Sequence, residues 1–281
     1  MFANLSRLGK SLLARPVLEL IPPKHGLIVA TFHKIDEAHY EWFGMVLDLI
    51  NNEFEFASPS ELGRLEGDDE QIKKVLLTFD DGFLSNRFVA EQILPRYNVK
   101  ALFFITEDFL DKNPQEATEF ARQRVYLNPE RDFSDMNSYR AMSSNDVLWL
   151  RDEGHEIGAH TKTHPRLSEI KTPGEREEEI VASADRLEVL LGSSVRSFAF
   201  PFGNLQSIDM DSLILAASRF DFIFSNVRGR VVDSPGRHFI FRQNLVPGDP
   251  LWLVRAMLEG RLDWKYRGIQ RQAQKSFSKM D

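Results

Sequence analysis

Short apolar runs alternate with amphipathic stretches along most of the chain. Residues 27–32 (LIVATF), 75–79 (VLLTF), 100–105 (KALFFI), 155–159 (HEIGA), 195–200 (VRSFAF), 220–225 (FDFIFS) and 239–241 (FIF) read as strands, most of them with the β-branched and aromatic content of buried ones. Residues 54–57 add a short one. Between them, apolar residues recur at helical spacing, as with Trp42, Met45, Val46, Leu49 and Ile50 in 40–51. Further helices are predicted at 86–94, 143–151, 207–218 and 250–260, with a short one opening at Ser58. Ser143 and Asp146 are placed to cap one of them, and Thr172-Pro-Gly-Glu175 spells a capping box with proline at the first helical position. Ile180, Ala184, Leu187 and Leu191 mark the inner face of that last helix, which Gly192 ends.

Strand and helix alternate about seven times, which predicts an α/β fold with a parallel sheet, open or closed into a barrel. The pattern is read as one domain over 27–265, with a mixed polar insertion at 107–142. Residues 1–26 form an amphipathic extension, with Leu5, Leu8, Leu12, Leu13, Val17 and Leu20 set against Arg7, Lys10 and Arg15. It is expected to pack on the domain as a helix, with peripheral contact to a membrane surface as the alternative. Residues 266–281 are read as a polar, frayed tail.

Composition narrows the chemistry. A net charge of −7 gives no sign of a nucleic-acid partner. There is no cysteine, so any metal site must be built from histidine and carboxylate. No apolar run is long enough to span a bilayer, and the N-terminal stretch lacks the continuous apolar segment and cleavage site of a secretory signal. A cytoplasmic location is therefore expected, with a soluble or lipid-linked substrate. Oligomeric state is not readable from the sequence.

The unusual polar residues share one kind of place. His33, Asp80 and Asp81, His160, Pro201-Phe202-Gly203 and Arg242 each follow directly on a predicted strand. In a parallel α/β fold such positions gather at one rim, where active sites are built. Two of them carry chemistry on their face. In His160-Thr-Lys-Thr-His164 the two imidazoles can share a helical face or point into one loop cavity. Either aspartate of the pair 80–81 can complete a two-histidine, one-carboxylate site of the open kind that suits zinc and catalysis. The other aspartate is then free to accept a proton, as in metal-assisted amide or ester hydrolysis.

These motifs resemble those of a known family. Thr78-Phe-Asp-Asp-Gly82, His160-Thr-Lys-Thr-His164 and Phe198-Ala-Phe-Pro-Phe-Gly203, in that order, are similar to motifs of the polysaccharide deacetylases of NodB-homology type, carbohydrate esterase family 4. ASPSEL (57–62), LPRYNVKALFFIT (94–106) and LRDEGHEIGAH (150–160) match as context, and the likeness spans 27–245. The resemblance implies a distorted (β/α)7 TIM-like barrel that removes the N-acetyl group of an amino sugar in a polysaccharide or glycan precursor. It implies Asp81, His160 and His164 as ligands of a divalent metal, zinc first, with cobalt, nickel or manganese as alternatives. It implies Asp80 as the general base and Pro201, Phe202 and Gly203 as substrate-binding. Members with a strand ending in a histidine like ATFHKI (30–35) are often found with exopolysaccharide systems, and His33 would then lie beside the metal.

The chain also departs from the pattern. Ala199 stands where the family usually has an arginine that orients the base, and Arg242 is the candidate replacement. No clear Asp/Trp motif follows in 220–230, nor a clear Leu-x-His motif for the general acid; His33 is ranked ahead of His238 for that role. Two alternatives follow: a hydrolase of another non-peptide C–N bond such as a small cyclic amide, or a non-catalytic protein of polysaccharide biosynthesis that keeps the fold. His25 and His39 are read as solvated, and His155 as packing at the far end of the barrel.

Overall fold

The computed structural model describes residues 14–64, 73–128 and 130–277. Its strands are β1 (Gly26–Phe32), β2 (Glu55–Phe56), β3 (Lys73–Phe79), β4 (Leu102–Ile105), β5 (Glu156–Ala159), β6 (Ser197–Ala199), β7 (Phe222–Phe224) and β8 (Gln243–Asn244). Every pairing between these strands is parallel, in the order β7-β6-β5-β4-β3-β1-β8, with β2 beside the first half of β3. The sheet curls into a distorted α/β barrel, because one segment touches both of its ends. Ile240 bridges Phe224 in β7, and three residues later β8 pairs Gln243 with Ala30 and Asn244 with Thr31 of β1. Arg242 sits between the two contacts.

The helices are α1 (Ala14–Glu19), α2 (Tyr40–Glu53), α3 (Leu84–Gln92), α4 (Pro114–Phe120), α5 (Ser144–Asp152), α6 (Pro173–Glu177), α7 (Ser183–Leu191), α8 (Met210–Arg219), α9 (Leu251–Leu258) and α10 (Arg267–Phe277). Strand alternation sorts the residues between two cores. Ile28, Ala30 and Phe32 of β1, Val75, Leu77 and Phe79 of β3, and Phe103 and Ile105 of β4 face outward. They pack with Val46, Ile50, Val147, Leu150, Ala184 and Leu187 of the helices. Leu27, Val29, Leu76, Leu102, Phe104, Ala199, Phe222, Phe224 and Ile240 fill the interior. The same parity turns Thr31, Thr78, Asp80, His160 and Arg242 inward, at the C-terminal mouth of the sheet. Gly158 is required inside: a Cβ there would lie 2.5 Å from Cδ1 of Phe104 and 3.0 Å from the Ser197 carbonyl oxygen.

The insertion is ordered around its own small core of Phe83, Phe109, Ala117, Ala121, Val125 and Tyr139. Asn113 and Glu116 form a capping box that starts α4, and the helix runs on through a π-helical turn at Ala121–Tyr126. A second π-helical turn, Glu178–Ala182, joins α6 to α7.

Two sequence expectations change. The strand expected at 239–241 is a single bridge at Ile240 followed by β8 at 243–244, because the segment leaves β7 to reach β1. The expected polar tail contains α10: Gln270, Ala273 and Phe277 are buried, and Phe277 stacks on Phe239 with ring centroids 4.4 Å apart. Its apolar residues are too sparse to stand out in composition, yet they share one face. Of the amphipathic N-terminal stretch, α1 lies among the described residues and residues 1–13 lie outside them.

Candidate active site

Asp80 and Asp81 reach the mouth together because the backbone turns between them. Asp80 continues the inward parity of Leu76 and Thr78, and its N–H donates to the Phe32 carbonyl at 2.9 Å. Asp81 then adopts a left-handed conformation, φ 78°, which breaks the alternation, and Gly82 follows at φ 95°. Aspartate tolerates this region better than most residues.

Asp80 is paired face to face with Arg242. Nη1 donates to Oδ1 and Nη2 to Oδ2, each at 2.8 Å, and Nε donates to the Ser225 carbonyl at 2.7 Å. Nη1 also reaches Thr78 Oγ1 at 3.4 Å. Both partners are almost wholly buried, with side chains 1% and 2% exposed, so the pair is held with little solvent screening. Burial pushes the Asp80 carboxyl up, but Arg242, with His160 and His33 behind it, outweighs burial and holds it below the usual carboxylate range. His33 stands at the open side, 34% exposed, with Nε2 3.9 Å from Asp80 Oδ2.

His160 and His164 lie on a loop, not on a helix. Thr161 and His164 both have left-handed backbones, φ 64° and 59°, and Thr161 Oγ1 accepts from the His164 N–H at 3.0 Å. Glu179, in the second π-helical turn, accepts from the Thr163 N–H and hydroxyl at 2.8 and 2.6 Å. The two rings are fixed alike. His160 Nδ1 lies 2.7 Å from the Ala199 carbonyl oxygen and His164 Nδ1 lies 3.0 Å from that of Arg124. A carbonyl only accepts, so each Nδ1 carries the proton and each Nε2 presents a lone pair.

Those lone pairs face Asp81. Its Oδ1 is 3.5 Å from His160 Nε2 and 3.3 Å from His164 Nε2. Neither carboxylate oxygen has a hydrogen-bond partner among the described residues, although the residue is fully buried. One ligand atom from each of the three lies within 4.8 Å of the others. Buried acceptors converging without a donor are unfavourable unless a cation sits among them. The donor set of two imidazole nitrogens and a carboxylate oxygen fits a divalent metal of the zinc type.

Pro201, Phe202 and Gly203 form a tight turn beside the triad. Phe202 is left-handed, φ 60°, and its ring meets His164 edge-on at 4.8 Å while the Arg166 guanidinium covers it at 4.2 Å. Gly203 is also left-handed, and a Cβ there would lie 2.5 Å from the Asn226 nitrogen. A cleft of about 550 Å³ opens here, lined by Arg124 and Leu127 of the insertion and by His164, Arg166, Glu175 and Phe202 among others.

The structure thus brings together His33, Asp80, Asp81, His160, His164, Phe202 and Arg242. It does not bring His238 to them. His238 lies in a turn that precedes the Ile240 bridge, closed by the Phe239 N–H donating to the Gly236 carbonyl at 3.1 Å, and the carbonyl of its neighbour Arg237 accepts from the Ile223 N–H of β7 at 2.9 Å. His155 is buried at the opposite end, where its Nδ1 accepts from the Ala101 N–H at 3.1 Å. Sequence reasoning missed Thr78 as a partner of the arginine, which alternation along β3 could have supplied. It also missed the carbonyls of Ala199, Arg124 and Ser225, which leave no mark in a sequence.

The family model for polysaccharide deacetylases matches residues 67–218. The chain belongs to the polysaccharide deacetylase family. It is accordingly a hydrolase of carbon–nitrogen, non-peptide bonds. The fold is shared with a polysaccharide deacetylase of Bacillus cereus, BC0361, at TM-score 0.62 and 18% identity over 83% of this chain and 69% of that one. It is shared with the Streptococcus pyogenes deacetylase PplD, in complex with acetate, at TM-score 0.62 and 21% identity over 84% and 99%. IcaB from Ammonifex degensii matches at TM-score 0.59 and 21% identity over 84% and 97%. No curated protein sequence matches the chain. Both His33 and Arg242 lie outside the residues that the family model matches.

Proposed function

We propose that this polysaccharide deacetylase is a metal-dependent enzyme that hydrolyses the N-acetyl group of an amino sugar within a glycan or glycan precursor. The observation that carries this reading is the placement of the Asp81–His160–His164 triad beside the Arg242-paired Asp80, at the floor of an open mouth. Asp81, His160 and His164 are the residues that would hold the metal, which when bound supplies Lewis acidity toward an amide carbonyl and toward water.

The chain's own residues divide the remaining work. Asp80 is the base: its two oxygens are oriented by the Arg242 fork, and each keeps a further lone pair for a proton from the attacking water. Arg242 takes the orienting role that a side chain at Ala199 does not fill. His33, at the solvent side of Asp80, is placed to protonate the departing amine, which cannot leave as an anion. Phe202 and the neighbouring cleft form the wall against which the sugar would lie. A de-N-acetylase from Aggregatibacter actinomycetemcomitans shares the fold, at TM-score 0.60 and 14% identity, which supports an N-acetyl group as the one removed.

The test is metal analysis joined to turnover on N-acetylated oligosaccharides. About one divalent ion per chain is expected, lost in His160→Ala, with Asp80→Asn keeping the ion and losing turnover. A wild-type chain that takes up no zinc or cobalt when these are supplied would overturn the reading. A chain that binds metal but deacetylates no amino sugar would transfer it to another C–N bond or to a non-catalytic role.

A further inference from the structure

The insertion reaches the metal triad through a backbone carbonyl, and that carbonyl belongs to an irregular turn. The helix begun at Pro114 ends in the π-helical turn Ala121–Tyr126, after which Leu127 turns left-handed at φ 48°. The last carbonyls of a helix have no partner within it and sit at the negative end of its dipole. One of them, Arg124 O, accepts the proton of His164 Nδ1 at 3.0 Å. π-helical turns are rare and recur at functional sites, because the extra residue re-aims the groups around it.

We infer that the π-helical turn of the insertion is a positioning device for His164, so that docking of the insertion and metal binding are coupled. The inference rests on the metal-site reading given above. The contact fixes which ring nitrogen of His164 is protonated, and so keeps Nε2 aimed at Asp81. His160 provides an internal contrast, since its own acceptor is Ala199 O in β6, which the insertion does not supply. The turn is held in place by packing of Phe109 against Phe120, with ring centroids 5.2 Å apart, and by burial of Ala121 and Val125. Arg124 and Leu127 also line the cleft, so one short turn shapes the wall and fixes a ligand. Coupling of this kind is reciprocal: if the docked turn favours metal, metal favours the docked turn.

Deletion of the exposed Gln123 removes the extra residue of the π-helical turn, closes it to α-helical geometry and so re-aims the carbonyls within it. Cobalt affinity is expected to fall about 10- to 100-fold, the range seen when an outer partner of a ligand histidine is lost. Ring nitrogen spectra of the metal-free protein are expected to show His164 losing its single Nδ1–H form while His160 keeps it. Unchanged affinity, or an unchanged His164 tautomer, would overturn the inference. Hydrogen exchange on the wild type needs no variant: amides of 115–126 are expected to slow when zinc is added, and equal exchange with and without zinc would likewise overturn it. Failure of the wild type to bind metal at all would instead remove the reading on which the inference rests.

Discussion

Arg242 and Asp80 are 162 positions apart in the chain, yet they meet in a two-pronged pair with both hydrogen bonds at 2.8 Å. The guanidinium arrives from the segment that bridges β7 to β1, while β6, where Ala199 stands, contributes only a carbonyl to the site. Phe104 lies against the arginine, 5.5 Å from the guanidinium carbon to the ring centre.

Arg242→Met leaves the Asp80 carboxylate buried without its partner. A loss of about 3–5 kcal/mol in unfolding free energy is expected, as for other broken buried pairs. The double variant Arg242→Met/Asp80→Asn should recover part of that loss, because no uncompensated charge remains. Denaturant unfolding of the two singles and the double gives the coupling energy directly. A coupling near zero would show that the pair does not hold the mouth together.

Chelation should separate the chemistry from the fold. Removing divalent metal is expected to abolish deacetylation, and zinc or cobalt should restore it. Loaded protein should also unfold at higher temperature, since a ligand at about a hundred times its dissociation constant adds about 2.7 kcal/mol. Activity that survives exhaustive chelation would contradict the assignment of Asp81, His160 and His164.

Gly158→Ala tests the packing under the site. The new methyl would collide with Phe104, on whose ring Arg242 rests and which His160 flanks at 6.4 Å. A cost of about 1–3 kcal/mol is expected, with a drop in turnover because the displaced ring presses on both residues. Phe104→Leu in the same chain should relieve part of it. Thermal unfolding and turnover, measured on each single variant and the double, decide the matter.

Stability should fall in mild acid because of His155. Burial, with Lys100 nearby, pushes its pKa down to about 4, and its Nδ1 must stay unprotonated to accept from Ala101. The unfolded chain therefore binds the proton first as pH drops below 6.5, and stability declines with falling pH until about 4. The loss across that window is on the order of 3 kcal/mol. His155→Gln should flatten this part of the curve; an unchanged slope would assign the acid sensitivity elsewhere.

Much of the barrel was legible because its strands are short apolar runs with polar residues at one end. His33, Asp80, Asp81, His160 and Arg242 follow such runs, and the structure gathers them. The loop form of His160–His164 was one of two open possibilities, decided by left-handed Thr161 and His164, for which the residues carry no clear signal. α10 was misread because three buried residues in a polar stretch weigh little in composition. His238 was a candidate only by being late and titratable. The strand end expected at Phe241 was displaced because the closing segment answers to two neighbours in turn, first β7 and then β1.

The bridging segment also sets an order of assembly. Asp80 is made early and Arg242 late, so a nascent chain holds the acidic lip long before its counter-charge emerges. Until residues 240–244 seat against both ends of the sheet, the interior would have to bury a bare carboxylate, which opposes premature closure. The last stretch of the barrel to be synthesised is thus the one whose charge lets it close, and a chain truncated before residue 242 would be left with an open, charged mouth.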